Sequence, residues 1–238
     1  MLRNFLEASG LSVSGVIRTD DLGLRAFSLG SVFCFLIGAF AMAIVRIPQI
    51  GRTFIMPDEI QRLLAEIGVD YARWVPQNRV SAWAPTRQIL AAYKAQLKEY
   101  KSRRAFAAYD IVDLSPDTRR FEAMLGHFRR EHWHDEDEAH FVLAARGFCN
   151  IHPVDRPVVM VELEPGDLLS VGPGVRHWFD LCAGWRFRAI RFIARSDTSH
   201  FHYTESGIED DFKPVYMGLA CFPYKRPKLR IPRTISAA

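Results

Sequence analysis

The spacing of apolar residues changes along the chain and predicts two regions of different secondary structure. Before residue 126, apolar residues three and four positions apart alternate with short runs rich in Tyr, Val and Ile, which is typical of helices interleaved with strands. From Gly126 to Ile193, short runs rich in Phe, Val, Leu and Ile are separated by Gly and Pro. This second pattern predicts roughly eight antiparallel strands, enough for a small barrel. We therefore expect a mainly β protein with flanking helices.

Three helices are predicted in the first region. Residues 57–68 begin with Pro, continue with acids and end at Gly68, and these are start and stop signals of a helix. Residues 85–100 place apolar residues on one face and lysines on the other. A shorter helix is predicted to follow Ser115 and to reach Leu125. Strands are predicted in the same region at residues 43–47, 69–75 and 108–114.

An uncharged, apolar run covers residues 26–45. Its length is near the roughly 20 residues that span a bilayer, so a membrane anchor is one interpretation. An export signal is a second, although no clear cleavage site of small residues follows the run. We favour a third, in which residues 1–41 are an extension upstream of a true start at Met42, because residues 43–47 alternate as a first strand. The protein is then expected in the cytoplasm, and at a membrane only if residues 26–45 are a real anchor.

Composition excludes some classes of function. The net charge of +4 is mild, and without a zinc-finger or RNA-binding motif it predicts no nucleic-acid partner. The four cysteines are scattered and form no CxxC pair, which is typical of reduced cysteines in an intracellular protein. Residues 206–238 are basic and Pro-rich, and we expect a poorly ordered tail there.

The candidate chemistry lies in residues 131–138, Glu-His-Trp-His-Asp-Glu-Asp-Glu, together with His177. On a strand, His132 and His134 point to the same face because side chains alternate. Glu138 keeps that face if the chain turns just before it, and His177 opens another strand after a Gly-Pro-Gly turn. A barrel brings such strands around one cavity. Three imidazoles and one carboxylate can then bind one metal ion and leave an octahedral ion two open positions for substrates.

The residue types also restrict the metal. The absence of a thiolate argues against a structural zinc site. Imidazole plus carboxylate suits Fe(II), Ni(II), Mn(II) or Co(II), and suits Zn(II) less well at six-coordination. The residue types leave the choice among these metals open. The other histidines that lack this constellation are expected to be unrelated to the metal: His127, His152, His200 and His202.

The same residues resemble the cupin double motif, in Gly126-x5-His132-x-His134-x3-Glu138 and Gly166-x5-Gly172-Pro173-Gly174-x-x-His177. The chain departs from the general pattern at positions 145 and 172, where Gly and Pro are expected. Within the cupins it resembles acireductone dioxygenases, on EHWHDEDE and HWFD and on the longer stretches EIQRLLAEIGVDYARW, YDIVDLSP and RAIRF. The resemblance implies a double-stranded β-barrel, or jelly roll, within a domain at residues 42–205 whose barrel core covers about residues 126–193.

The resemblance implies an enzyme of methionine salvage that cleaves the enediol 1,2-dihydroxy-3-keto-5-methylthiopentene with O2. It implies one Fe(2+) or Ni(2+) per chain, bound by His132, His134, Glu138 and His177. The iron form is expected to give 4-methylthio-2-oxobutanoate and formate. The nickel form is expected to give methylthiopropionate, formate and carbon monoxide. The implied partners are this small molecule and O2, and we expect a monomer.

Further roles follow from the family pattern, residue by residue. Phe128 and Phe179 are implied to line the substrate pocket, and Arg191 to supply positive charge to an anionic substrate. Glu131 and Asp137 are implied to orient the metal ligands from behind.

The chain departs from the family at two positions near this site. An Arg is expected two residues after the glutamate ligand, where this chain has His140, whose side chain strand parity points into the cavity. A protonated His140 could replace part of the catalytic role of that Arg. A Trp is expected near Ser199. These departures leave two alternatives, a diverged cupin dioxygenase acting on another enediol or a 1,3-dicarbonyl, and a non-catalytic cupin that binds a metal or ligand.

Overall fold

The computed structural model describes residues 43–75, 80–104, 106–182, 186–194, 200–217 and 220–222. The extension predicted at residues 1–41, most of the apolar run at residues 26–45, and Ser199 lie outside these ranges. Within the ranges described, no helix is long and apolar enough to cross a membrane.

Short strands dominate the described residues, as the pattern of apolar positions predicts. The strands are β1 (Ile44–Ile47), β2 (Arg52–Phe54), β3 (Val69–Arg73), β4 (Ala108–Leu114), β5 (His132–Trp133), β6 (Glu138–Ala144), β7 (Gly147–Ile151), β8 (Val159–Leu163), β9 (Asp167–Val171), β10 (His177–Leu181), β11 (Phe187–Ile193), β12 (His202–Tyr203), β13 (Val215–Met217) and β14 (Ala220–Phe222). The helices are α1 (Pro57–Ala65), α2 (Thr86–Ala92), α3 (Lys94–Arg104) and α4 (Phe121–Arg129), with 3-10 helices at Pro48–Ile50 and Ile208–Phe212.

Two antiparallel sheets face each other across the main core. Sheet A has the strand order β12-β5-β10-β7-β8-β1-β2, and sheet B has the order β3-β9-β6-β11-β4. Their facing sides share one cluster of buried side chains, including Val161 and Leu181 from sheet A and Val142 and Leu169 from sheet B. Two such sheets packed face to face form a jelly roll rather than one closed ring of strands. The predicted fold class is confirmed.

Helices α2 and α3 cover the outer face of sheet B, where Ile89 and Leu97 join a buried cluster with Phe141 and Ile190. The sequence predicts one helix at residues 85–100, and the structure divides it in two. Tyr93 leaves the helical conformation, at φ −105° and ψ 11°, and its ring packs 4.8 Å from that of Phe141. Burial of this ring against sheet B stabilises the break.

Helix α4 begins later and ends later than the sequence predicts. The chain from Ser115 to Thr118 forms a turn, closed by a hydrogen bond from the backbone N–H of Ser115 to the Thr118 hydroxyl. Arg120 then adopts a left-handed conformation, at φ 63°, directly before the helix. The helix continues four residues beyond Leu125, to Arg129, so that two residues separate its end from the first metal-binding candidate, His132. Phe128 lies in its last turn.

The chain after residue 206 forms regular structure, which corrects the prediction of a poorly ordered tail for the part described. The 3-10 helix at Ile208–Phe212 buries the Phe212 ring, which lies 6.0 Å from the Trp178 ring on the outside of sheet A. Strands β13 and β14 then pair as a hairpin. A basic and Pro-rich composition predicted disorder here, whereas burial of one aromatic side chain stabilises the start of the segment.

Candidate metal centre

Four side chains from the two sheets converge at one point. His132 on β5 and His177 on β10 are directly opposite each other in sheet A, whereas Glu138 opens β6 of sheet B. His134 lies in the turn that crosses between the sheets. One donor atom from each of the four lies within 4.8 Å of the others, so a single ion can contact all of them.

The backbone holds each histidine ring in the orientation that metal binding requires. The Nδ1 atoms of His132, His134 and His177 lie 2.6, 2.9 and 2.9 Å from the backbone oxygens of residues 130, 200 and 175. A carbonyl oxygen only accepts, so each Nδ1 donates, and the neutral form of each ring presents a lone pair on Nε2. Ligating histidines in metalloproteins are held in the same way.

The unpaired atoms of the site fit a metal ion. The Nε2 atoms of His132 and His134 are buried, and neither has a hydrogen-bond partner in the described part of the chain. A buried acceptor without a partner costs about 1–3 kcal/mol, and a divalent cation would satisfy both. Burial, followed by the electrostatic effect of His177, lowers the pKa of His132 to about 3. That ring is therefore neutral at neutral pH, as coordination requires.

The charge of Glu138 also fits a cation. Burial opposes its ionisation, but contacts with His134 and His177 outweigh burial and lower the pKa of Glu138 well below its usual range. The closest of these contacts joins His177 Nε2 and Glu138 Oε2 at 3.0 Å. The site thus combines one carboxylate anion with three imidazoles, on the residues that the sequence predicts.

Two glycines in the turn before β10 fix the position of His134. The backbone N–H of Gly174 donates to the backbone oxygen of His134 at 2.9 Å, and Gly174 adopts a left-handed φ of +72° that favours glycine. Gly172 approaches the chain so closely that a Cβ there would lie 2.9 Å from the backbone oxygen of Gly68. The Gly-Pro-Gly turn therefore supports one ligand directly and leads the chain into the strand that carries His177.

The candidate ligands lie between a small cavity and a wider mouth. The cavity has a volume of about 60 Å³ and extends from His132, Glu138 and His177 into the core between the sheets. The mouth is a wider depression that extends from Glu138 to the edge strand β4. The residues predicted to face the substrate fall on these surfaces: Phe128 and His140 line both, Phe179 lines the cavity, and Arg191 lines the mouth. Asp137, which is predicted to orient the metal ligands, also lines the mouth.

His140 shares the inward face of β6 with Glu138, as strand parity predicts, and lines the cavity. Burial lowers the pKa of His140, and the neighbouring positive charge of Arg191 adds to the effect while Glu138 opposes it. The ring is therefore neutral at neutral pH, in contrast to the protonated ring that the sequence suggests. A neutral imidazole can donate or accept a hydrogen bond toward a substrate, but it supplies no fixed charge.

Arg191 is held at the mouth by an acidic partner that the sequence does not reveal. Its Nε and Nη2 atoms donate to the two carboxylate oxygens of Asp110, at 3.1 and 2.6 Å. The two residues are direct neighbours across β11 and β4, and both side chains are 44% exposed. Asp110 therefore offsets the positive charge that Arg191 is predicted to present to a substrate.

A segment that the sequence does not connect to the site closes one side of it. We call residues 200–206 the strap. The backbone oxygen of His200 accepts the hydrogen bond from His134. The Phe201 ring lies 4.6 Å from the His132 ring and 4.8 Å from the His134 ring. The alternation His-Phe-His-Tyr at residues 200–203 is the one sequence signal that could have indicated a strand here.

The Glu131 side chain forms hydrogen bonds with the strap rather than with a metal ligand. Its buried carboxylate accepts hydrogen bonds from the hydroxyls of Thr204 and Ser206, the latter at 2.6 Å, and contacts His152 Nδ1. Burial opposes its ionisation, but these three partners outweigh burial and lower the pKa of Glu131. The orienting role predicted for Glu131 would therefore act through the strap.

We expect Glu131→Gln to weaken metal binding by roughly tenfold, since changes behind metal ligands cost about 10–100-fold in affinity or activity. The amide keeps the shape but loses the charge that attracts both hydroxyls and His152. Competition with a chelator of known affinity measures the effect, and circular dichroism verifies that the fold is retained. Glu205→Gln in the same strap is the control, because the Glu205 side chain is 73% exposed and contacts Arg130 instead. Equal affinities in the two variants would refute the role of Glu131.

The two facing antiparallel sheets, with three histidines and one glutamate converging between them, define a metal-binding cupin. Comparison with known proteins narrows this class. The ARD/ARD' family model matches residues 57–199. The acireductone dioxygenase of Xanthomonas campestris pv. campestris is 35% identical over 171 residues, which cover 72% of this chain and 87% of the relative. That of Xylella fastidiosa is 32% identical over 163 residues, which cover 68% and 86%.

A solved structure supports the same assignment. Acireductone dioxygenase from Bacillus anthracis, with a cadmium ion in its active centre, superposes with a TM-score of 0.62 at 30% identity, over 68% of this chain and 99% of the other. The chain belongs to the acireductone dioxygenase family and is an enzyme, a dioxygenase.

Proposed function

We propose that this enzyme binds one Fe(II) or Ni(II) through His132, His134, Glu138 and His177 and cleaves 1,2-dihydroxy-3-keto-5-methylthiopentene with O2. The observation that carries the proposal is a pair of buried Nε2 atoms that have no hydrogen-bond partner among the described residues and lie within 4.8 Å of an ionised carboxylate and a third imidazole. The family relationship supports this substrate and its place in methionine salvage.

The residues around the ligands support binding of an enediol with an apolar tail. A divalent metal, when bound, supplies a Lewis acid that favours the deprotonated form of the enediol. Phe128 and Phe179 offer apolar walls beside the ligands, and these exclude water from the head of the substrate. His140 lies on the same wall as Glu138 and can exchange a hydrogen bond with a substrate oxygen.

The donor set suits both metals, and the metal decides the products that we propose. The iron form gives 4-methylthio-2-oxobutanoate and formate. The nickel form gives methylthiopropionate, formate and carbon monoxide. Reconstitution of metal-free protein with each metal in turn, followed by assay for carbon monoxide, distinguishes the two. Carbon monoxide from the nickel form alone is the expected result.

Oxygen uptake by the Fe(II)-loaded protein with synthetic acireductone tests the reaction itself. We expect uptake by the parent that depends on both metal and substrate. His140→Arg is assayed alongside, because it restores the positive charge that the family pattern places at this position. Metal-free protein and metal without protein are the controls for uncatalysed oxidation of the enediol.

A second candidate function has support at the mouth of the site. His140 is neutral at neutral pH, and Asp110 offsets the charge of Arg191, so the mouth attracts an anion less strongly than a free Arg would. A diverged dioxygenase for another enediol or a 1,3-dicarbonyl would have this property. Uptake by His140→Arg without uptake by the parent would favour that alternative. No uptake by either protein would argue against this acireductone as the substrate.

A further inference from the structure

The cavity beyond the metal ligands is apolar everywhere except at the ligands and His140. Its wall includes Leu114, Cys149, Leu163, Leu169, Phe179 and Phe187. The volume of about 60 Å³ is several times the roughly 10–15 Å³ that one water molecule needs, and apolar cavities stay dry. The cavity therefore suits a short apolar chain attached to a group that reaches the ligands.

Phe179 forms the inner wall of this cavity, and a glycine decides where its ring lies. Phe179 is two residues beyond His177 on β10 and shares its inward face. The ring lies directly over Gly147 of β7, so that a Cβ at position 147 would be 2.2 Å from Cζ and 2.9 Å from Cε2 of the ring. Phe187 contacts the ring with the two centroids 4.9 Å apart. A methyl group at position 147 would displace the Phe179 ring. The cavity is the empty space beside this ring.

Cys149 forms the part of the wall that adjoins Phe179 on the same face of sheet A. It is directly opposite Phe179 in the pairing of β7 with β10, and it lies two residues beyond Gly147 on the same face. Its side chain is buried and makes no disulfide. Burial and the charge of Glu138 raise the pKa of its thiol, so the side chain is a neutral, compact and largely apolar group. A longer side chain here would fill the space between β7 and the metal ligands.

We propose that Gly147, Cys149 and Phe179 determine the length of the apolar tail that this enzyme accepts on its enediol substrate. The cavity takes one short, unbranched tail, and its inner wall rejects longer ones. This inference rests on the proposed function, because it requires a substrate whose head lies at the metal ligands. The three residues determine specificity through the shape of the cavity.

A series of synthetic enediols with the same head and linear tails of increasing length tests the inference. The Fe(II)-loaded parent is expected to lose about tenfold in kcat/KM for each methylene beyond the longest tail that fits, since one methylene in an apolar pocket changes kcat/KM by about 10–200-fold. Gly147→Ala and Cys149→Leu are expected to shorten this limit by one or two methylenes. Cys149→Ala is expected to lengthen it. Cys182→Ala is the control, because this buried cysteine lies outside the cavity wall.

Binding without turnover separates the inference from the proposed function. Calorimetry under argon gives the Kd of each enediol for the metal-loaded protein while O2 is absent. The inference is supported if Kd rises beyond a certain tail length and the Gly147 and Cys149 variants change that length. This result supports the inference even if no oxygen uptake is observed and the proposed function is abandoned. A limit that no variant moves, or an affinity that is independent of tail length, would overturn the inference while leaving the reaction intact. If Cys149→Leu does not fold, Cys149→Ala and Gly147→Ala still decide the outcome.

Discussion

Replacement of His177 by alanine is expected to abolish metal retention and to lower oxygen uptake by about 10³-fold or more. Metal ions contribute several kcal/mol of transition-state stabilisation, and each 1.36 kcal/mol corresponds to a factor of about ten in rate. His177 is one of four converging donors, and its removal also takes away the partner of Glu138 at 3.0 Å. The variant keeps the fold because the site lies at the surface end of the core, with Glu138 18% exposed.

The measurement is the metal content per chain after dialysis, together with oxygen uptake under saturating substrate. His200→Ala is the matched control. The side chain of His200 is exposed, and its backbone oxygen, which accepts the hydrogen bond from His134, survives the substitution. Full metal content and an unchanged rate in His177→Ala would mean that the four side chains are not the ligand set. Equal losses in both variants would point to the strap instead.

The part of this site that the sequence predicts depends on local spacing. His132, His134 and Glu138 lie within seven consecutive residues, so strand parity and one turn suffice to place them on a common face. The Gly-Pro-Gly turn places His177 at the start of a strand in the same way. The structure brings these four donors together, and it places His140 on the inward face that parity predicts.

The parts that the sequence does not predict depend on contacts between distant residues. Glu131 and Thr204 are 73 residues apart, and Arg191 and Asp110 are 81 apart. No local periodicity indicates either contact, because each depends on which strands become neighbours in the folded sheets. Cys149 is similar: the sequence predicts only a reduced cysteine, and its place opposite Phe179 in the pairing of β7 with β10 puts it in the cavity wall.

The prediction of helices α2 and α3 from the sequence is limited in the same way. The amphipathic pattern of residues 85–100 correctly predicts a helical segment that packs through one face. It does not predict the break at Tyr93, because local propensity favours a continuous helix and tertiary packing overrides it. The Tyr93 ring gains contact with Phe141 on sheet B, and that contact depends on the sheet being present. The outer face of β6 therefore determines how helices α2 and α3 are attached to sheet B.

Phe141→Ala is expected to lower the free energy of unfolding by about 3–5 kcal/mol, the cost of removing a fully buried Phe. Phe141 is 0% exposed, and its ring centroid lies 5.1 Å from that of Trp74 and 4.8 Å from that of Tyr93. It points away from Glu138 and His140 on the same strand, so its loss weakens the attachment of α2 and α3 to the sheet that carries Glu138. For a chain of this size each kcal/mol shifts Tm by about 2–4 °C, so a decrease on the order of 10 °C is expected.

Urea unfolding of the metal-free protein, followed by circular dichroism, measures this loss without the added stability that a bound metal confers. Trp83→Ala is the matched control on the same side of sheet B, since Trp83 is 52% exposed and surface substitutions usually change stability by less than about 0.5 kcal/mol. At temperatures below its own, reduced Tm, the Phe141→Ala variant should still bind metal. The four donors belong to the inward faces of the sheets and to the turn between them, and not to the outer face that carries Phe141. A loss under about 1 kcal/mol would show that the aromatic cluster does not attach the helical layer. Loss of metal binding by the folded variant would show instead that the outer face of β6 controls the position of Glu138.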